Sequence, residues 1–176
     1  MRLVRAAAVA GVLTLAGVLV WHLTHQPKSV NAAVSSGKIV KAPQFRLKPL
    51  TGSRVVSLAA LRGKAVVINF WGSWCGPCKQ EMPRLESAAE RWAPKGVAVV
   101  GIDVLDSRDA ARRFVAKHHV RYAIGYDGVG DTITPYGVFN TPTTFFVDRR
   151  GRIVSRIKGE LSDGDIDAGI TRALKS

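Results

Sequence analysis

Two continuous apolar stretches, Ala65-Val66-Val67-Ile68 and Val97-Ala98-Val99-Val100-Gly101-Ile102, stand out along the chain. Short runs rich in β-branched residues, with no polar alternation, predict strands covered on both faces. A third β-forming run is Thr143-Thr144-Phe145-Phe146-Val147-Asp148, which the turn Arg149-Arg150-Gly151 joins to Ile153–Ile157 as a hairpin near the C-terminus. Phe45, Leu47 and Leu50 before Thr51-Gly52-Ser53, with Val55, Val56 and Leu58 after it, predict another hairpin that opens the domain near Ala42-Pro43.

Helical spacing fills the gaps. A helix runs from the Cys78-Lys79 region towards Trp92, with a kink expected at Pro83, and Pro94-Lys95-Gly96 ends it. Ser107 can cap a helix reaching His119, with Ala110, Ala111, Phe114 and Val115 on its inner face. Ser162-Asp163-Gly164-Asp165 opens a last helix to Lys175. The stretch from Tyr122 to Val138 is irregular, with a short helix around Thr132–Tyr136. Strand, helix, strand, helix, hairpin, helix in that order implies an α/β domain, a central mixed sheet with helices on its faces.

The N-terminus follows a different pattern. Arg2 and Arg5 precede Ala6–Trp21, an uncharged stretch of Ala, Val and Leu that is either a signal-peptide core or a slightly short membrane anchor. Val30-Asn31-Ala32 fits a cleavage site only loosely, and Trp21, His22 and His25 suit the exit of a span, so a retained transmembrane anchor over 1–25 is favoured. The Arg residues would stay inside and the remainder be exported. Residues 26–41 mix Ser, Asn, Ala, Gly and Lys without periodicity and predict a flexible stalk, leaving 42–176 as the folded domain.

Charge changes this picture little. The 176 residues carry a formal net charge of +13, but Lys and Arg are scattered and no aromatic-and-basic nucleic-acid signature appears. A solvated basic surface, drawn at most to anionic lipid headgroups, is the expectation.

Chemistry concentrates in Trp74-Cys75-Gly76-Pro77-Cys78-Lys79, which holds the chain's 2 cysteines. A strand here delivers Cys75 to the first turn of a helix, where free N–H groups and the positive dipole end favour a thiolate. Pro77 suits that turn, because its missing N–H would be unpaired there anyway. Cys78 is near enough to close a disulfide with Cys75. The competing explanations are a structural bridge, which over so short a loop constrains the unfolded chain little, and half a zinc site, for which the histidines show no ligand spacing. A redox dithiol without metal or cofactor is the stronger reading. Trp71 is expected in the core and Trp74 at a rim beside Cys75. Lys79 and the pair His118-His119 read as solvated, and no motif gives Asp103 or Asp127 a role.

At this hexapeptide the sequence resembles the thioredoxin superfamily, and the resemblance extends from Ala42 onward through Asn140-Thr141-Pro142-Thr143-Thr144-Phe145. Within the superfamily it is similar to the membrane-anchored TlpA/ResA/CcmG group. The features shared are the anchor, the opening hairpin, Cys75-x-x-Cys78-x-x-Glu81-Met82-Pro83, an insertion before Tyr136-Gly137-Val138, and Asp148-x-x-Gly151. The resemblance implies a thioredoxin-like fold with an added N-terminal hairpin and a central insertion. It implies a cis-Pro142 facing the dithiol, and substrate contacts along Trp74, Gly76, Pro77, Thr141 and Pro142. It also implies an extracytoplasmic thiol–disulfide oxidoreductase acting on protein substrates such as apocytochrome c, recharged by a membrane thiol donor of the CcdA/DsbD type. Cytoplasmic thioredoxins have a buried aspartate where this chain has Asn69; Glu81, on the face of Cys78 one turn on, takes over proton handling in this reading. The Gly-Pro pair is that of thioredoxin, whose potential near about −270 mV suggests a reductant. Two other functions stay open: a thiol peroxidase on the same fold, for which the residues before Cys75 lack the Thr and Arg pattern, and a non-catalytic binding module or chaperone for exported chains.

Overall fold

The computed structural model describes residues 14–21 and 30–176. The described residues open with helix α1 (residues 14–21) and, from residue 30, continue with α2 (Val30–Ser35) and strands β1 (Val40–Lys41), β2 (Arg46–Pro49) and β3 (Val56–Ser57). A 3₁₀ turn, Leu58–Leu61, leads to β4 (Ala65–Trp71), α3 (Cys78–Trp92) and β5 (Val97–Val104). Then come α4 (Arg108–Lys117), β6 (Ala123–Asp127), α5 (Ile133–Tyr136), β7 (Thr143–Val147), β8 (Arg152–Lys158) and α6 (Asp163–Lys175).

All eight strands share one mixed sheet in the order β1-β8-β7-β4-β5-β6-β2-β3. β4, β5 and β6 are parallel, and β7 and β8 return antiparallel beside β4. β4 is central and each of its seven residues is buried, as an apolar run without alternation requires. Its even positions, Val66, Ile68 and Phe70, pack with Phe45, Tyr136, Val138 and Phe145 on one face. On the other face, Ala65 and Val67 meet Leu85 and Ala88 of α3 and Ile166 and Ile170 of α6, while Trp71 meets Ala111, Phe114 and Val115 of α4.

The caps act as the residue types suggest. Ser107 Oγ accepts from Ala110 N at 3.2 Å, and Ser162 with Asp165 forms a capping box at the start of α6. α3 runs unbroken through the exposed Pro83. As the sixth helical residue, Pro83 forgoes one bond, to the Lys79 carbonyl in the first turn, where few hydrogen bonds exist to be lost.

Three expectations are corrected. The irregular stretch after Tyr122 contains β6, which pairs in parallel with β5 and whose other edge takes the opening hairpin through β2. Ala-Ile-Gly-Tyr-Asp is a weak strand former, and pairing on both sides sets its conformation. Within the expected stalk 26–41, α2 lays Val30 and Val34 against the core and β1 pairs with β8, so packing begins ahead of Ala42. His118 is half-buried rather than fully solvated like His119: it caps α4, its ring lies 4.6 Å from that of Phe114, and burial pushes its pKa down. The expected anchor, 1–25, lies outside the described residues except for 14–21. Among the described residues no helix is long and apolar enough to cross a membrane.

Candidate active site

β4 ends at Trp71, and four residues later the chain reaches Cys75, which is disulfide-bonded to Cys78 with the Cα atoms 5.4 Å apart. The approach is pinned at both ends. Cys75 N donates to Gly72 O at 3.0 Å, and Ser73 N donates to Asp106 Oδ2 at 2.6 Å from beyond the end of β5. α3 begins at Cys78 itself, with Pro77 as the residue before the helix rather than inside its first turn. Lys79 N and Gln80 N close that turn onto the Gly76 and Pro77 carbonyls. Cys75 is only 4 % exposed and Cys78 fully buried, whereas Gly76, Pro77 and Lys79 face solvent.

Trp74 is 57 % exposed and folds back so that a Cβ on Gly72 would lie 2.6 Å from its Nε1; glycine is what permits this approach. Trp71 is buried and stacks on Phe114 at 5.3 Å. The Thr141–Pro142 peptide bond is cis. Pro142 immediately precedes β7, whose Thr143 pairs with Phe70, so the proline stands at the end of the sheet where β4 delivers the dithiol. Thr141 Oγ1 is buried there with no protein partner.

Glu81 is fully buried in the first turn of α3. Its Oε1 accepts from Asn69 Nδ2 at 2.7 Å and its Oε2 from Leu161 N at 3.1 Å. Asn69 Nδ2 also donates to Thr144 Oγ1 at 2.9 Å. Burial pushes the Glu81 carboxyl up to about 7, against the lowering effect of the Asn69 and Leu161 hydrogen bonds. Leu161 is held in place by Arg84, one turn along α3, which donates to the Leu161 carbonyl and pairs with Glu160. The asparagine that replaces an acid on β4 thus serves as donor to the acid on α3. A group that titrates near neutrality, three residues beyond Cys78, can exchange a proton with a neighbouring thiol under ordinary conditions.

Asp103 carries no sequence signal, yet it is fully buried at the end of β5, in register with Trp71, and neither carboxyl oxygen has a protein partner. Burial first, then the neighbouring Asp106 carboxylate, pushes its pKa up to about 8. Asp127 is structural: its carboxylate accepts from Asp131 N and Thr132 N, closing the turn after β6. Thr144, Leu161 and Asp106, which also shape the site, carry no signal in the sequence. Asn69 left a trace there, as a departure from a family pattern. Among the described residues no three His, Cys, Asp or Glu side chains converge to hold a metal.

Apolar side chains ring this end of the sheet. Besides Trp74, Leu105 after β5, Val129 after β6 and Phe139 before Pro142 are exposed, Phe139 by 80 %. Their apolar surface, around a buried disulfide, suits an extended peptide more than a small polar ligand.

A family model described as the AhpC/TSA family matches residues 40–156. The thiol-disulfide oxidoreductase ResA of Bacillus thuringiensis subsp. konkukian (strain 97-27) is 35 % identical over 120 residues, covering 68 % of this chain and 69 % of that protein. Among solved structures, a DsbF homologue from Corynebacterium diphtheriae superposes with a TM-score of 0.68 at 33 % identity, covering 75 % of this chain and 84 % of its own. A thioredoxin-family thiol:disulfide interchange protein from Chlorobium tepidum TLS gives 0.70 at 26 % identity, covering 77 % and 97 %.

Proposed function

Because the chain belongs to the AhpC/TSA family and is a thiol–disulfide oxidoreductase of the ResA type, we propose that it reduces protein disulfides outside the plasma membrane, with the haem-attachment cysteines of apocytochrome c as clients. Glu81 carries this reading: a buried acid with a pKa raised to about 7, one turn beyond Cys78, gives the second thiol a proton acceptor matched to neutral pH.

In the reduced protein, Cys75 thiolate attacks one sulfur of the client disulfide. That S–S bond breaks, a mixed disulfide forms, and the first client sulfur leaves as a thiolate that takes a proton from water. Cys78 then passes its proton to Glu81 and attacks Cys75 Sγ. The second client sulfur leaves as a thiolate that also takes a proton from water, the client is a dithiol, and the protein holds the Cys75–Cys78 disulfide. A membrane thiol donor of the CcdA/DsbD type returns two electrons, and Glu81 returns the proton to Cys78. Trp74, Gly76 and Pro77 form the exposed approach to Cys75, and Thr141 and cis-Pro142 flank the position where a client backbone would lie. An N-terminal anchor within 1–25 would hold the domain at the outer membrane face.

Trapping tests this. Cys78→Ser should freeze the mixed disulfide on Cys75, and the captured chains should carry Cys-x-x-Cys-His. If other disulfide proteins are captured instead, the cytochrome assignment fails and the reductase survives; if nothing is captured, the reductase fails too. A membrane-impermeant thiol reagent should label reduced Cys75 in intact spheroplasts, and its failure to do so would refute the extracytoplasmic location.

A further inference from the structure

At the end of the sheet opposite the dithiol lies a cavity of about 260 Å³. Three separate segments bring cations to it: Lys41 from β1, Arg62 and Lys64 from the turn before β4, and Arg149 and Arg150 from the β7–β8 turn. Val66 and Val147 give it an apolar floor, and the single acid in its lining, Asp148, is already committed. Its Oδ1 accepts from Arg150 N and Arg152 N, and its Oδ2 from Arg152 Nε at 2.7 Å, with the side chain fully buried.

The five cations lie on exposed segments around the cavity, and their charges are not offset by neighbouring acids. Arg84, Arg91, Arg121 and Arg152 each pair with a carboxylate, whereas among the described residues none of the five is in an ion pair, although Arg149 Nη2 donates to the Lys95 carbonyl at 3.2 Å. The sequence explains the shortage: every Asp and Glu lies at or beyond position 81, so the segments containing Lys41, Arg62 and Lys64 bring no acid of their own. Like charges gathered round one concavity repel, and a bound anion would offset that repulsion. Guanidinium forks and ammonium groups together match phosphate oxygens, and the volume is below that of a drug-sized pocket, as a small anion requires.

We propose that this cavity binds a phosphate group, presented by an anionic lipid headgroup or by a small soluble phosphate compound. The site is separate from the dithiol, and its occupancy does not depend on the identity of the client.

Amide chemical shifts of the full chain in non-ionic detergent provide the test, with inorganic phosphate, phosphatidylglycerol doped into the micelles, and sodium chloride at matched ionic strength as three arms. Saturable shifts at Lys41, Arg62, Lys64 and Gly151 are expected with phosphate, with the lipid, or with both. Phosphate alone sufficing identifies a soluble ligand; a response to the lipid alone identifies a headgroup. In Arg62→Gln/Arg150→Gln the midpoint should rise about tenfold, since two of five charges are removed, while shifts elsewhere and reduction of a small disulfide stay unchanged. Three results would overturn the proposal: no saturable shift with either ligand, the same shifts with chloride, or an unaltered midpoint in the double variant. The wild-type arms decide the matter even if the variant misfolds.

Discussion

Glu81 and Asp103 are two buried carboxyl groups whose folded-state pKa values, about 7 and about 8, lie far above those of exposed acids. The folded state therefore holds protons that the unfolded chain releases, and stability must fall as pH rises through that window. For Glu81, moving from 4.5 to about 7 corresponds to roughly 3 kcal/mol lost between those values and constant above. Urea unfolding of Glu81→Gln at a series of pH values should show that part of the slope removed, while Asp103→Asn should flatten the part that continues to about 8. A wild-type stability that rises from pH 5 to 8 would contradict both assignments. Asn69→Asp would put a second carboxyl 2.7 Å from Glu81 Oε1, where both cannot ionise at ordinary cost, so the pH midpoint for release of a client from the mixed disulfide should move upward by about one unit or more.

Among the elements, β5 is the one that brings a helix-facing layer close under the dithiol. A Cβ on Gly101 would lie 2.5 Å from Ile124 Cδ1 and 2.8 Å from Trp71 Nε1, both on buried side chains, with Trp71 also stacked on Phe114. Gly101→Ala should cost about 1–3 kcal/mol in urea unfolding, as overpacking does. The apolar ring makes a different demand. Phe139 touches solvent over most of its surface, so Phe139→Ser should leave stability within about 0.5 kcal/mol. Burial against a client is what it would contribute, and KM for a protein disulfide should rise about tenfold with turnover of a small disulfide unchanged.

The whole molecule has two chemically distinct ends. β4 delivers the dithiol to one, where cis-Pro142 at the start of the antiparallel β7 and the exposed apolar side chains also lie, and three separate segments gather cations at the other. The packed unit also begins earlier than composition indicates, because Val30 and Val34 cover part of the core. A chain starting at residue 38 should melt about 2–4 °C below one starting at residue 28, the shift that about 1 kcal/mol produces in a domain of this size; equal melting would show that α2 contributes nothing.

Much of this was legible along the chain because it depends on near neighbours. Apolar runs marked β4, β5 and β7, Ser107 and Ser162 marked helix starts, and two cysteines separated by Gly-Pro marked the chemistry. Each is decided by backbone geometry and side-chain period over a few residues. The rest joins residues far apart. Asn69 meets Glu81 across 12 positions, Thr144 across 75, and Glu81 meets Leu161 across 80. β6 owes its conformation to partners on both sides, Asp103 its raised pKa to burial, and the cation pocket its existence to three segments converging. Register and close packing determine such meetings, and neither is written in local periodicity. The sequence alone specified a dithiol at the head of a helix in a thioredoxin-like domain and pointed to Glu81 as its acid; only the folded chain decided which donors hold that acid, how deeply it is buried, and where the surplus positive charge collects, because those depend on contacts between residues far apart in the chain.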